Sequence, residues 1–249
     1  MKAVRLAFSW LTVMPVRGPA TVDREAAEHA IAWAPVVGAV LGAVAGTVLW
    51  LLTVAGASSA VAGLVAVGVL ALATRGMHLD GLADTADGLG SYGPPERARE
   101  IMKSGAAGPF GVAAIVFAVG LQAFSFTALA DSGRWFAVVL AVTLARVAVV
   151  AACRTGLAAA PGTGFGALVA GTQSPLTIGV WSLVAVVAAY FAVPEHGWLG
   201  PVVVVLTAIV LLISVRHCLR RFGGLSGDVL GAVIETTTAL TALGFSLGI

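Results

Sequence analysis

Seven stretches of the chain are almost free of charge and are long enough, or nearly so, to cross a hydrocarbon core of about 30 Å. They fall at roughly 35–54, 58–74, 110–130, 135–153, 176–193, 199–215 and 229–249. The pattern predicts an all-α, polytopic integral membrane protein of about seven transmembrane helices, organised as a single membrane-embedded domain over 1–249. Polar positions collect between the spans, in loops at about 75–109, 154–175 and 216–228. Ahead of the first span, Lys2 and Arg5 precede an apolar stretch with no small-residue cleavage site after it, which predicts a retained interfacial N-terminal helix. Gly38, Gly42 and Gly46 form a doubled G-x-x-x-G, the spacing that lets a second helix approach closely.

Composition agrees: 59% of residues are hydrophobic and 10% are charged, against about a quarter charged in soluble domains. Basic residues orient the spans, because basic loops stay in the cytoplasm. With the N-terminus inside, Lys2, Arg5, Arg17, Arg24, Arg75, Arg97, Arg99, Lys103, Arg154, Arg216, Arg220 and Arg221 are all cytoplasmic, which is twelve of the 14. Arg134 falls outside and Arg146 within a span. A net charge of +2, spread over several loops without interleaved aromatics, excludes a nucleic-acid partner. Cys153 and Cys218 are far apart and form no C-x-x-C pair, so they read as small buried thiols. The glycine-rich loop 154–175, including G-T-G-F-G at 162–166, has neither a Walker lysine nor a Rossmann unit around it, and reads as a flexible or re-entrant connection.

The chemistry concentrates in ten residues, where His78, Asp80, Asp84 and Asp87 interrupt an apolar background. On a helix the three aspartates lie within about 60° of one another. Carboxylates on one face repel unless a cation binds them, and Mg²⁺ prefers such hard ligands while sharing its shell with water and substrate phosphate. Gly81 and Gly88 would leave room for a phosphate or a bulky substrate. His78 would point about 160° from Asp80 on the same helix, a poor co-ligand but a candidate base or substrate contact. Glu235 lies two turns beyond Asp228 on the same face of the last span. An acid at membrane depth is a functional candidate by default: either a further metal ligand, or a partner of a buried hydrogen bond to Thr236, Thr237 or Thr238. Asp228, at the water boundary, is placed to join the aspartates or to orient a nucleophile. Arg97, Lys103, Arg216 and Arg220 share the acids' side and suit phosphate, or equally anionic lipid head groups. Acids for Mg²⁺ beside bases for phosphate point to phosphoryl transfer at a membrane surface.

These residues resemble the cobalamin synthases, or adenosylcobinamide-GDP ribazoletransferases. The resemblance rests on H-L-D-G-L-A-D-T-A-D-G at 78–88 and G-G-L-S-G-D-V-L-G-A-V-I-E at 223–235. It is extended by F-S-W-L-T-V-M-P-V at 8–16, P-V-V-G at 35–38 and R-A-R-E-I-M-K at 97–103. Two departures stand out: Ser226 replaces the usual Thr, and Ser104-Gly105 stands where the family commonly has Asp-Ser, so Ser104 is left out of the metal site. The resemblance implies a Mg²⁺-dependent reaction in which a hydroxyl of α-ribazole, or of its 5′-phosphate, attacks the corrinoid-side phosphorus of adenosylcobinamide-GDP and GMP leaves. Asp80, Asp84 and Asp87 would hold Mg²⁺, with Asp228 or His78 deprotonating the hydroxyl. It further implies the plasma membrane of a prokaryote, and is compatible with a homo-oligomer or with association with other cobalamin-pathway enzymes. The alternatives are a transferase of the CDP-alcohol phosphotransferase or prenyltransferase kind, or a transporter lined by Glu235 and Arg146. The first lacks its A-R after Asp80-Gly81, where Leu82-Ala83-Asp84 follows; the second is opposed by the concentration of ionisable groups in loops.

Overall fold

A computed structural model describes residues 2–19 and 21–248; Ile249, the end of the last expected span, lies outside them with Met1 and Ala20. The helices are α1 (Lys2–Leu11), α2 (Arg24–Ala32), α3 (Ala34–Val54), α4 (Ser59–Ala73), α5 (Met77–Gly90), α6 (Pro95–Met102), α7 (Pro109–Asp131), α8 (Trp135–Ala152), α9 (Gly164–Val169), α10 (Pro175–Ala189), α11 (Leu199–Phe222) and α12 (Gly227–Phe245). Among the described residues there is no strand beyond two isolated bridges. Five helices, α3, α7, α8, α11 and α12, have the length and apolarity to cross a membrane. The protein is thus an all-helical polytopic membrane protein, with outward-facing Phe117, Phe124, Leu183 and Ile213 exposed as lipid-facing residues are.

By length and apolarity the count is five, or six if α4 and α5 form one bent crossing, so the expected seven is not confirmed. The other two positions hold α4 and α10, of 15 residues each, about 22 Å long and short of the hydrocarbon thickness. After α4 the chain breaks at Thr74, Arg75 and Gly76, and α5 leaves at 91°. Arg75 (φ 57°) and Gly76 (φ 67°) are both left-handed there, a conformation that cannot continue an α-helix. α5 therefore lies across the direction of α4 rather than extending its crossing. The basic stretch expected as a loop at 216–228 is also mostly helix, since α11 runs to Phe222 and only 223–226 connect it to α12.

Small residues set the helix contacts, as they must where lipid is as apolar as the side chains. A Cβ on Gly42 would sit 2.7 Å from the Val139 carbonyl oxygen, and one on Gly38 3.0 Å from that of Val142. The doubled G-x-x-x-G is thus the seam of α3 against α8. At the end of the bundle away from α5, buried Arg134 donates to the carbonyls of Phe245 (2.9 Å) and Leu247 (3.2 Å) and pairs with Glu195 (2.8 Å). Its charge satisfies the free carbonyls that end α12.

Candidate active site

α5 brings the acidic motif into the structure as a helix, and its two sides differ. Leu82, Ala86 and Leu89 face a cavity of about 170 Å³ against α11 and α12, while Asp80 is exposed on the opposite side and Asp84 is half-buried. Asp87 is buried, and its oxygens accept from the backbone amides of Gly108 (2.7 Å) and Gly111 (2.9 Å). These are orphan donors at the start of α7, so Asp87 caps another helix in trans. What the structure shows of this expected metal ligand is the capping role, with one amide bond to each oxygen. The two glycines are part of the device: a Cβ on Gly108 would approach Asp87 Oδ1 to 2.6 Å, and one on Gly111 would collide with Oδ2.

Gly81 and Gly88 do not make room for substrate either. A Cβ on Gly81 would meet Asp228 Cα at 2.9 Å, one on Gly231 would meet the His78 carbonyl oxygen at 3.0 Å, and one on Gly88 would meet Met102 at 2.8 Å. They are the contact points by which α5 lies against α12 and α6. The close crossing carries Asp228, in the first turn of α12, up to the aspartate helix. Ser226 caps that turn by accepting from the Val229 amide (3.3 Å), so the serine standing in place of the expected threonine retains the capping hydroxyl. The connection before it is fixed by backbone pairing, with the Leu225 amide donating to Ala158 and the Ala160 amide to Leu225, both at 2.9 Å. The glycine-rich loop expected to be flexible is thus paired to the strand-like Gly224-Leu225 step, and a Cβ on Gly224 would collide with Ala159 and Ala160.

The electrostatics single out Asp84. Burial raises its carboxyl, and the charges of Asp80, Asp228 and Asp87 push in the same direction, to a pKa of about 6. Burial disfavours the charged carboxylate first, and the neighbouring like charges add to it. Among the described residues no three or more His, Cys, Asp or Glu groups converge as a ready-made metal cage. Lys103 lies at the same end, its ammonium donating to the Gly162 carbonyl (3.4 Å) and within electrostatic reach of Asp228.

His78 and Glu235 belong to a different place. Both line a cavity of about 10 Å³, the size of one water, together with Gln122, Arg146, Thr74 and Thr238. Glu235 accepts from the Gln122 amide at 2.7 Å, and buried Arg146 donates to the Val142 carbonyl (3.3 Å) while its Nε has no partner among the described residues. The structure brings neither His78 nor Glu235 to the aspartates. His78 is on α5 from its second residue, hence turned into the bundle; Glu235 is on the Asp228 face of α12 but about 10 Å deeper. The hydrogen bond expected for Glu235 exists, but to Gln122 and not to a neighbouring threonine. Gln122 was hidden from sequence reasoning, its only signal being an amide in the middle of an apolar span. Glu235→Leu is expected to lower the thermal midpoint in detergent by several degrees, for loss of a charge-assisted bond of about 1.5–3 kcal/mol, with the Mg²⁺ half-saturation of activity unchanged. Unchanged stability with a raised Mg²⁺ requirement would return Glu235 to the metal site.

The basic residues separate as well. Arg97 pairs with Glu100 on the exposed side of α6 (3.2 Å), while Arg99 ties α6 to α11 through the Phe222 carbonyl (3.0 Å). Arg221 does the same for the turn after α5 by donating to Ser91 and Gly93. Arg216 and Arg220 are exposed on one helical stripe with Leu206, Ile209 and Ile213. That stripe continues the exposed apolar surface of α11. Of the four bases expected to bind phosphate, Lys103 is the one beside the acids.

A polytopic helical membrane protein with a group of carboxylates at one end of its bundle has the make-up of a membrane-embedded transferase. The family model described as cobalamin-5-phosphate synthase matches residues 3–246, and the chain belongs to that family. Adenosylcobinamide-GDP ribazoletransferases are similar to it along their length. That of Corynebacterium diphtheriae is 38% identical, covering 98% of this chain and 90% of the relative. That of Corynebacterium efficiens is 37% identical over 97% and 90%, and that of Frankia casuarinae 40% over 98% and 94%. No solved structure matches the chain. The chain is therefore an enzyme, a transferase, and the transporter and CDP-alcohol alternatives fall away.

Proposed function

We propose that the enzyme transfers the cobinamide-phosphoryl group of adenosylcobinamide-GDP to a hydroxyl of α-ribazole or of its 5′-phosphate. The reaction releases GMP at the cytoplasmic face of a prokaryotic plasma membrane, with Mg²⁺ as cofactor. The observation that carries this reading is the match to the cobalamin-5-phosphate synthase family over residues 3–246, with Asp84 lying within reach of the charges of Asp80 and Asp228 at one end of the bundle. Asp80 and Asp84 would hold Mg²⁺, which supplies charge neutralisation on the diphosphate and polarisation of the reacting phosphorus. Lys103 binds phosphate oxygens as a point charge. Asp228 takes the proton of the attacking hydroxyl and passes it to water. The new bond joins the ribazole oxygen to the corrinoid-side phosphorus; the bond to the bridging oxygen breaks, and GMP leaves with that electron pair. Asp87 and the glycine contacts hold α5 still while this happens.

Purified protein in liposomes, given adenosylcobinamide-GDP, α-ribazole and Mg²⁺, is expected to release GMP and form the cobalamin product; no GMP where a known synthase releases it would overturn the assignment. The pH profile gives an independent test. Protons and the cation compete for Asp84, so at subsaturating Mg²⁺ activity falls as pH drops through about 6. Added Mg²⁺ moves that midpoint to lower pH. A midpoint indifferent to Mg²⁺ would dissociate Asp84 from the metal.

A further inference from the structure

We propose that the groove between α8, α10, α11 and α12 is a binding site for one anionic phospholipid, with an acyl chain in the groove and the phosphate on Arg154. The groove has a volume of about 400 Å³, within the range of about 300–1,000 Å³ typical of ligand sites. It exists because small residues face one another: Ala148 on α8, Ala185 on α10 and Ala208 on α11 leave space that Leu144, Leu212 and Val233 close off with apolar surface.

Its length fits one leaflet. The lining runs from Leu144 to Ala152 along α8, with Arg154 just past its end, and from Val204 to Val215 along α11. At 1.5 Å per residue the helical parts span about 12–17 Å, close to half of the roughly 30 Å hydrocarbon thickness. A chain entering at the end that carries the aspartates would therefore finish near the bilayer midplane.

Charge selects the head group. Arg154 is the one ionisable group among the described lining residues, and it takes part in no ion pair among them. Arg216 directly follows lining residue Val215, and Arg220 lies one turn further on the same lipid-facing stripe. One guanidinium at the mouth of a slot lined by no acid, with two more exposed further round the end of α11, favours a phosphate without a compensating ammonium. The inner wall of the slot includes Val233 and Thr237 of α12, the helix whose first turn holds Asp228, so an occupying chain packs directly against the element that positions that carboxylate.

The full chain, reconstituted into nanodiscs of phosphatidylcholine with a minor share of phosphatidylglycerol and released for native mass spectrometry, tests this. One phosphatidylglycerol per chain is expected, enriched about tenfold or more over its share of the lipid, a preference of about 1.4 kcal/mol. Arg154→Gln is expected to cut the enrichment about fivefold, the equivalent of about 1 kcal/mol per basic residue at a membrane surface, and Arg154→Lys to keep most of it. Ala208→Phe, at a lipid-exposed position of the slot, is expected to remove the bound lipid without changing the thermal midpoint. Equal retention of phosphatidylcholine, or retention that survives Ala208→Phe, would overturn the proposal. So would a second copy of the chain in place of lipid, or displacement of the lipid by α-ribazole.

Discussion

Asp84→Asn is expected to reduce turnover on the order of 10²-fold or more, since charge stabilisation by a bound metal is worth several kcal/mol and each tenfold is about 1.4 kcal/mol. Substrate-free protein should insert normally and unfold at an equal or higher temperature near neutral pH. The second half follows from the sign of the shift. A carboxyl raised to about 6 prefers its neutral form in the folded protein, so its contribution to stability is present at low pH and is lost as pH rises through 6. Replacing the charge by an amide removes that repulsion from Asp80 and Asp228 and removes the cation site with it. Turnover measured at saturating Mg²⁺, set beside a thermal melt of the same preparation, checks both halves. Full activity in Asp84→Asn would end the metal assignment; a large drop in melting temperature would show that the residue is structural.

Most of the architecture follows from patterns that depend on one helix at a time. Apolar runs placed every long helix, the doubled G-x-x-x-G marked the α3–α8 seam, and i, i+4, i+7 spacing put the aspartates on one side of α5. What the sequence could not convey is set between helices. Asp87 shares its face with Asp80 and Asp84, yet its partners are amides 21 and 24 residues later, and no local spacing announces a cap given in trans. Gly81 and Gly88 look like openings for a ligand because a missing side chain reads the same whether substrate or another backbone fills the space. Glu235 was correctly placed on the face of Asp228, but periodicity reports angle and not depth, and two turns of α12 separate an interfacial carboxylate from one that meets Gln122 inside the bundle. The right-angle turn of α5 hangs on two left-handed residues, Arg75 and Gly76, of which only the glycine is an advance signal. Arg216 and Arg220 show their exposure in their own register, since they continue the stripe of Ile209 and Ile213.

Asp87→Ala should behave in the opposite way to Asp84→Asn. It leaves one buried and one partly buried amide at the start of α7 without an acceptor, and charge-assisted bonds to a helix N-terminus together with the lost cap are worth about 2–4 kcal/mol. The expected result is a thermal midpoint lower by several degrees, with activity lost in step with the folded fraction and the Mg²⁺ half-saturation of the remaining enzyme unchanged. Asp87→Asn keeps one carbonyl acceptor and should fall between wild type and Asp87→Ala in stability. Gly111→Ala provides a control that leaves the carboxylate in place: its Cβ would be driven into Asp87 Oδ2 and to within 3.0 Å of the Ala83 side chain, so it should reproduce the destabilisation of Asp87→Ala without touching an acid. If Asp87→Asn instead raises the Mg²⁺ requirement with stability intact, and Gly111→Ala is silent, then Asp87 holds the cation and the amide contacts are incidental. The two aspartates, three residues apart on one helix, would otherwise divide the work, Asp84 carrying charge for chemistry and Asp87 fixing the helix on which that charge is presented.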